Sequence, residues 1–232
     1  MNVVFLDRDG TIIVEPPDEQ IDSLEKLELI PGVIEGLRLL RDRGFELVLV
    51  TNQDGLGTDR FPQASFDVPQ KKLLGILQGE GITFSHIFIC PHRPADQCSC
   101  RKPKTGLVAN YLKEKTLDLQ GTFVIGDRET DVLFGKNIGC KTIRLGDSQE
   151  SNADIVTNNF LDACRHIASS IRTSHIDRVT HETSISVDVI LDGTGSYVVN
   201  TGLGFFDHML GQLSKHSLID IRLRVRCELH VD

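Results

Sequence analysis

The sequence predicts an α/β fold built on a parallel sheet, followed by a smaller α+β segment. Three observations carry that expectation. Short apolar runs bounded by Gly, Pro, Asp or Asn alternate with segments of helical period through the first two-thirds of the chain, the pattern of strands joined by crossover helices. From Arg178 the pattern changes to period-2 alternation, which marks half-buried antiparallel strands. The residues just after each run in the first part are unusually polar, and in an open α/β sheet ligands bind beyond the carboxyl ends of the strands.

Strands are predicted at Val3–Leu6, Phe45–Val50, His86–Ile89, Thr122–Ile125 and Lys141–Leu145, with a sixth, less regular one at Asp154–Thr157. Val33, Leu37 and Leu40 recur at i, i+4 and i+7 after Pro31-Gly32 and stop at Gly44, which predicts a helix. Leu73, Leu74 and Leu77 mark a second helix ending near Gly79–Gly81; others are expected about Leu107–Lys115, Thr130–Asn137 and, beyond the polar stretch Ser148–Asn152, Leu161–Ile171. In the last part Thr183–Leu191 alternates, and Asp192-Gly193-Thr194-Gly195 signals a hairpin into Tyr197–Asn200. A short helix around Phe206–Leu213 and a strand over Ile219–Val231 follow. The expected organisation is a domain at 1–168, a linker at 169–177 and the beginning of a second domain at 178–232. About sixty residues with two or three half-buried strands make a poor core alone, so this last part reads as a fragment or as an element that needs partner subunits.

A net charge of −8 argues against nucleic acid or an anionic membrane as partner, because those surfaces recruit basic faces. No apolar run approaches the length of a membrane span, and Met1 leads straight into Val3-Val4-Phe5-Leu6-Asp7 without a basic leader. The expected location is the cytoplasm. Six cysteines in such a chain are read as thiols or metal ligands before disulfides. Cys140, Cys164 and Cys227 stand singly and read as inert buried thiols.

Asp7-Arg8-Asp9-Gly10-Thr11 directly follows the first strand. Two carboxylates two residues apart can share one cation while one attacks as nucleophile and the other moves protons; a surface turn of the same composition is the plain alternative. Thr51-Asn52-Gln53 places a hydroxyl and an amide after the second strand, Arg101-Lys102 supplies fixed positive charge, and Gly126-Asp127-Arg128-Glu129-Thr130-Asp131 adds carboxylates after Ile125. Cys90, His92, Cys98 and Cys100 fall in one Pro-containing loop. Three thiolates and an imidazole form the closed ligand set of a structural zinc site. A redox pair competes, although Cys98-Ser99-Cys100 lacks the two-residue spacer and leaves His92 unexplained, and unrelated buried thiols are the bland reading. That loop runs straight into Arg101-Lys102, so zinc there would stiffen the segment presenting those cations.

In this order and placement the motifs resemble those of the haloacid dehalogenase superfamily of phosphatases in its Asp-nucleophile form. The resemblance implies a Rossmann-like parallel sheet with a zinc loop and no large cap. It implies that Asp7 attacks phosphorus and that Asp9 protonates the leaving alcohol and then activates water. Mg²⁺ would be held by the Asp7 carboxylate, the Asp9 carbonyl and Asp127, with Thr51, Asn52 and Lys102 on the phosphoryl oxygens and Arg101 adding positive charge. Asp131 would orient Lys102 or a metal-bound water; an exposed residue in the first turn of a helix is its other reading.

Within that superfamily the zinc loop is similar to those of histidinol-phosphate phosphatases and heptose-bisphosphate phosphatases. The segments Thr51–Thr58, Phe61–Asp67 and Cys90–Asp96 resemble the histidinol group more closely, which implies hydrolysis of L-histidinol phosphate. Residues Pro16-Pro17-Asp18-Glu19 and the zinc loop are the expected recognition surface for its imidazole. Arg178–Thr183, Leu191–Gly195 and Asn200–Leu210 resemble the opening of imidazoleglycerol-phosphate dehydratase, and the domain order matches the fusion of these two activities in histidine biosynthesis. By that family's pattern His208 is a manganese ligand, while Glu182 and the His208–His216 segment approach substrate; a helix-face histidine is the ordinary reading of His208. The dehydratase pattern needs two further His and Glu clusters that these residues do not include, so dehydration is not expected of this chain as given. A monomer or weak dimer is expected here, and a larger homo-oligomer only with a complete dehydratase domain. Two other readings remain open, a sugar-bisphosphate phosphatase and a scaffold whose activity has decayed.

Overall fold

The computed structural model describes residues 1–147, 150–170, 173–191 and 193–227, in two compact units, Met1–Ala168 and Ser169–Asp232. The first unit runs β1 (Val3–Leu6), α1 (Val33–Asp42), β2 (Glu46–Asn52), α2 (Gln63–Gly79), β3 (His86–Cys90), α3 (Ala109–Glu114), β4 (Phe123–Gly126), α4 (Glu129–Ile138), β5 (Lys141–Leu145), β6 (Ile155–Thr157) and α5 (Phe160–Ser170). Its six strands form one sheet in the order β3-β2-β1-β4-β5-β6, and every neighbouring pair is parallel. The chain winds outward from β1 through β2 to β3, then returns to β4 on the other side of β1. That reversal between β1 and β4 is the switch point at which an open α/β sheet leaves a crevice.

Fully buried strands explain why the sequence runs here are continuous rather than alternating. All four residues of β1 and all four of β4 are buried. On one face Val3, Phe5, Val48, Val50 and Val124 pack with Val108, Tyr111 and Phe134, and the Phe5 ring meets Tyr111 and Phe134 edge-on. Such pairs contribute about 0.5–1.5 kcal/mol each beyond area burial. Helix α2 begins at Gln63, well before the Leu73 stripe that signals it, and carries Pro69 inside. Its early turns are anchored by Phe66, which meets Phe61 edge-on.

The second unit consists of β7 (Thr173–Val179), β8 (Thr183–Ile190), β9 (Tyr197–Asn200), α6 (Gly204–Ser217) and β10 (Asp220–Cys227). Two expectations change here. Residues 169–177, expected as a linker, instead close α5 and supply most of β7, which pairs antiparallel with β8 from Thr173↔Ile190 to Val179↔Ser184; residues 171 and 172 lie outside the described residues. The hairpin expected between β8 and β9 does not form, because β10 lies between them, antiparallel to β8 and parallel to β9. The connection is instead held by Asp220, whose Oδ1 accepts from the Thr194 and Ser196 N–H groups at 2.7 and 2.8 Å. Asp192, the expected helix end Ile171, Ser148 of the polar stretch and the last residues of the predicted final strand lie outside the described residues. Among the described residues no helix is long and apolar enough to cross a membrane.

Candidate active site

The parallel register brings the polar residues after β1, β2 and β4 to one edge of the sheet. Asp7 follows β1 and its N–H donates to the Ile125 carbonyl of β4 at 3.0 Å. This ties the two strands at the switch point. Gly10 (φ +73°) turns the chain away, and a Cβ there would lie 2.3 Å from Asp127 Oδ2. Glycine is therefore required both for the turn and for the approach of Asp127. A cleft of about 170 Å³ results, lined by Asp7, Asp9, Thr51, Asn52, Lys102 and Asp131 among others.

Lys102 is the centre of this cluster. Its buried ammonium donates to Asp7 Oδ1 at 2.5 Å and to the Val50 carbonyl at 2.8 Å, and lies 2.6 Å from Asp131 Oδ1. Burial by itself would lower its pKa; Asp131 and Asp7 outweigh that and hold it raised. Asp131 is only 2% exposed, so the reading of it as an exposed residue in the first turn of a helix does not hold. It sits at the third position of α4, its Oδ2 accepts the Arg128 N–H at 3.2 Å, and the neighbouring Gly126 leaves room that a Cβ would fill.

The negative charge exceeds what one ammonium neutralises. Carboxylate oxygens of Asp7, Asp127 and Asp131 lie within 4.8 Å of one another, and Asp127 Oδ1 is buried without a hydrogen-bond partner. Burial first, then Asp131 and Glu15, push Asp127 up to about 7. Asp7 is raised well above its ordinary value by burial, opposed by Lys102 and reinforced by Asp131, Asp127 and Asp9. A hard divalent cation such as Mg²⁺, which prefers oxygen ligands, fits this donor set.

Thr51 and Asn52 end β2, and the structure places them differently. Thr51 is buried and its Oγ1 accepts from Gln53 Nε2 at 2.9 Å. Asn52, expected on a phosphoryl oxygen, clasps the Lys102 peptide, with Oδ1 accepting the Lys102 N–H at 3.1 Å and Nδ2 donating to its carbonyl at 3.4 Å. Arg101, expected to supply fixed positive charge, donates to Asp54 and to the His92 carbonyl. Both side chains hold the loop that presents Lys102.

That loop begins with the cysteine and histidine cluster. Cys90 ends β3. Its sulfur lies 3.8 Å from Cys98 Sγ and 3.3 Å from Cys100 Sγ, and His92 Nδ1 is 3.1 Å from Cys100 Sγ and 3.7 Å from Cys90 Sγ. Tetrahedral bonding at Zn–S of about 2.3 Å sets ligand sulfurs roughly 3.8 Å apart, so the four side chains fit one closed site. Burial pushes the Cys90 thiol up to about 12, and a metal ion there would have to displace its proton.

Sequence reasoning missed two side chains. Arg8 is fully buried, and Gln53 is buried beside it; both donate to Asp9. In the second unit Glu182, His208 and His216 are exposed, His216 Nε2 lies 3.1 Å from Gln212 Oε1, and these three do not gather as one set of metal ligands among the described residues.

Comparison with known proteins agrees with this geometry. A HAD-hydrolase-like family model matches residues 99–173, and an imidazoleglycerol-phosphate dehydratase model matches residues 201–232. The histidine biosynthesis bifunctional protein HisB of Bacteroides fragilis is 46% identical over 240 residues, covering 99% of this chain and 64% of that protein. Its counterpart in Blochmanniella floridana is 44% identical over 231 residues, covering 99% of this chain and 63% of that protein. The chain is a homologue of these bifunctional proteins. It spans a little under two-thirds of their length. The first unit has a haloacid dehalogenase-like phosphatase fold: a D,D-heptose 1,7-bisphosphate phosphatase from B. bronchiseptica, complexed with magnesium and phosphate, superposes with a TM-score of 0.64 at 26% identity over 73% of this chain and 99% of that one.

Proposed function

We propose that the first unit is a phosphomonoesterase that hydrolyses L-histidinol phosphate to L-histidinol and phosphate, as part of histidine biosynthesis in the cytoplasm. The observation that carries the chemistry is the contact of Lys102 Nζ with Asp7 Oδ1 at 2.5 Å inside the switch-point cleft; the pathway rests on homology along 99% of the chain. Asp7 attacks phosphorus while the ester P–O bond breaks, and the departing oxygen takes its proton from Asp9. Water then attacks the aspartyl-phosphate, gives its proton to Asp9, and the electron pair of the broken P–O bond returns to Asp7. Lys102 and the Thr51 hydroxyl stabilise charge on the phosphoryl oxygens. Mg²⁺, held by Asp7, Asp127 and the Asp9 carbonyl, would neutralise the phosphoryl group; Zn²⁺ on Cys90, His92, Cys98 and Cys100 would be structural.

A sugar-bisphosphate phosphatase is the second reading, favoured by the likeness to the heptose enzyme. Phosphate release with Mg²⁺ from histidinol phosphate, beside D,D-heptose 1,7-bisphosphate, separates the two. Preference for histidinol phosphate supports the first reading, preference for the sugar supports the second, and release from neither contradicts both. The second unit is proposed to be the opening part of a dehydratase domain, with His208 as a Mn²⁺ ligand and Glu182 and His216 toward substrate, in a site that requires more of that domain and a homo-oligomer.

A further inference from the structure

Both oxygens of the Asp9 carboxylate already hold donors. Oδ1 accepts from Arg8 Nη1 at 2.7 Å, and Oδ2 accepts from Gln53 Nε2. The same Gln53 nitrogen donates to Thr51 Oγ1 at 2.9 Å, so its two hydrogens are shared between Asp9 and Thr51. In its ionised form the Asp9 carboxylate can only accept, which fixes the nitrogen rather than the oxygen of the amide on that side. Gln53 is itself immobilised. It is 3% exposed, its backbone N–H donates to the Cys90 carbonyl at 2.8 Å, and its carbonyl accepts the Leu56 N–H at 3.1 Å. Arg8 is held as firmly, with Nε on Gln70 Oε1 at 2.8 Å and its guanidinium 4.8 Å from the centre of the Phe66 ring.

Two rigid donors on opposite oxygens fix both the position and the plane of Asp9. Arg8 alone would leave the carboxylate free to rotate about its bond to Cβ. We propose that Gln53 is a positioning residue that aims Asp9 at the oxygen of the breaking and forming bonds, using the Thr51 hydroxyl as the anchor of its own amide plane. The inference rests on the phosphatase reading given above. A misplaced Asp9 fails to protonate an alkoxide, whereas a p-nitrophenolate departs without a proton; the later attack of water on the aspartyl-phosphate still needs Asp9 as base.

The test compares histidinol phosphate with p-nitrophenyl phosphate, both with Mg²⁺, in the Gln53→Met variant and in the nearly isosteric Gln53→Glu variant. Arg8 remains to satisfy Asp9 in each, and thermal melts establish that each is folded. With histidinol phosphate, kcat is expected to fall by about 10²-fold or more, with KM and inhibition by inorganic phosphate within about twofold of the unmodified enzyme. With p-nitrophenyl phosphate, a rapid burst of about one p-nitrophenolate per enzyme is expected, followed by slow turnover as the phosphorylated enzyme accumulates. Equal losses on both substrates without a burst would overturn the proposal and leave Gln53 a structural residue, as would unchanged kcat. If the unmodified enzyme released phosphate from neither ester, the phosphatase reading would fall and the inference with it.

Discussion

Each unit holds a cluster of one cationic side chain between two carboxylates, and the two clusters are set in opposite surroundings. In the first, Lys102 is buried between Asp7 and Asp131, and the carboxylate of Asp127 is partly withdrawn from water. In the second, His175 lies between Asp177 and Asp188 at 3.0 and 2.6 Å with all three side chains at least half exposed. Similar distances thus carry different weight. Water screens the exposed triad to a small contribution, while the buried cluster interacts strongly and must be complete, because removing one partner strands the others away from solvent. The difference also bears on chemistry. A nucleophile and its cationic partner gain from exclusion of water, and the three candidate residues of the second unit lack that setting among the described residues.

Lys102→Met gives the largest expected effect. At pH 8 without divalent cation it should lower unfolding stability by about 3–5 kcal/mol, read from urea denaturation, and with Mg²⁺ it should cut phosphate release by roughly 10²–10³-fold. A stability change under about 1 kcal/mol, the scale of an exposed ion pair, would erase the contrast between the units. Next is Cys98→Ser, which removes one of the four side chains proposed to hold zinc. We expect zinc content to fall below one per chain and the melting midpoint to drop by roughly 5–10 °C; unchanged melting on loss of the metal would show that the loop stands without it.

The smallest effect lies in the exposed triad. Hydrogen bonds to Asp177 and Asp188 raise the pKa of His175 above its ordinary 6.5. A group whose folded pKa is raised contributes stability that is present below the unfolded value and lost as pH rises through the folded one. Local opening of β7, followed by amide exchange, should therefore become slightly easier above pH 6.5, and His175→Gln should remove that dependence. Easier opening toward lower pH would contradict the assignment.

Much of the first unit was legible because its strands are buried on both faces and bounded by turn residues. The predicted strands at Val3–Leu6 and Lys141–Leu145 match β1 and β5, and Asp7, Lys102 and Asp127 lie just beyond strand ends or just after the cysteine and histidine cluster, where the topology makes a crevice. What was not legible depends on partners distant in sequence. Arg8 and Gln53 carry no signal of their own; they matter because α2 and β3 hold them against Asp9. Arg101 and Asn52 line the cleft as their types suggest, but no short window shows that Asp54 and the Lys102 peptide also take them as partners. In the second unit local turn chemistry pointed to a hairpin, but Asp220, beyond α6, captures the turn and brings β10 beside β8. Strand order there is set by a contact that no short window contains.

The proposed phosphoryl transfer passes through Asp7. Rapid quenching of a single turnover with phosphorus-labelled histidinol phosphate and Mg²⁺, followed by peptide mapping, tests it directly. A transient, hydroxylamine-sensitive label is expected on the peptide containing Asp7, absent from Asp7→Asn, whose turnover should fall by about 10⁴-fold or more. Full-rate phosphate release with no labelled peptide at any time would contradict it.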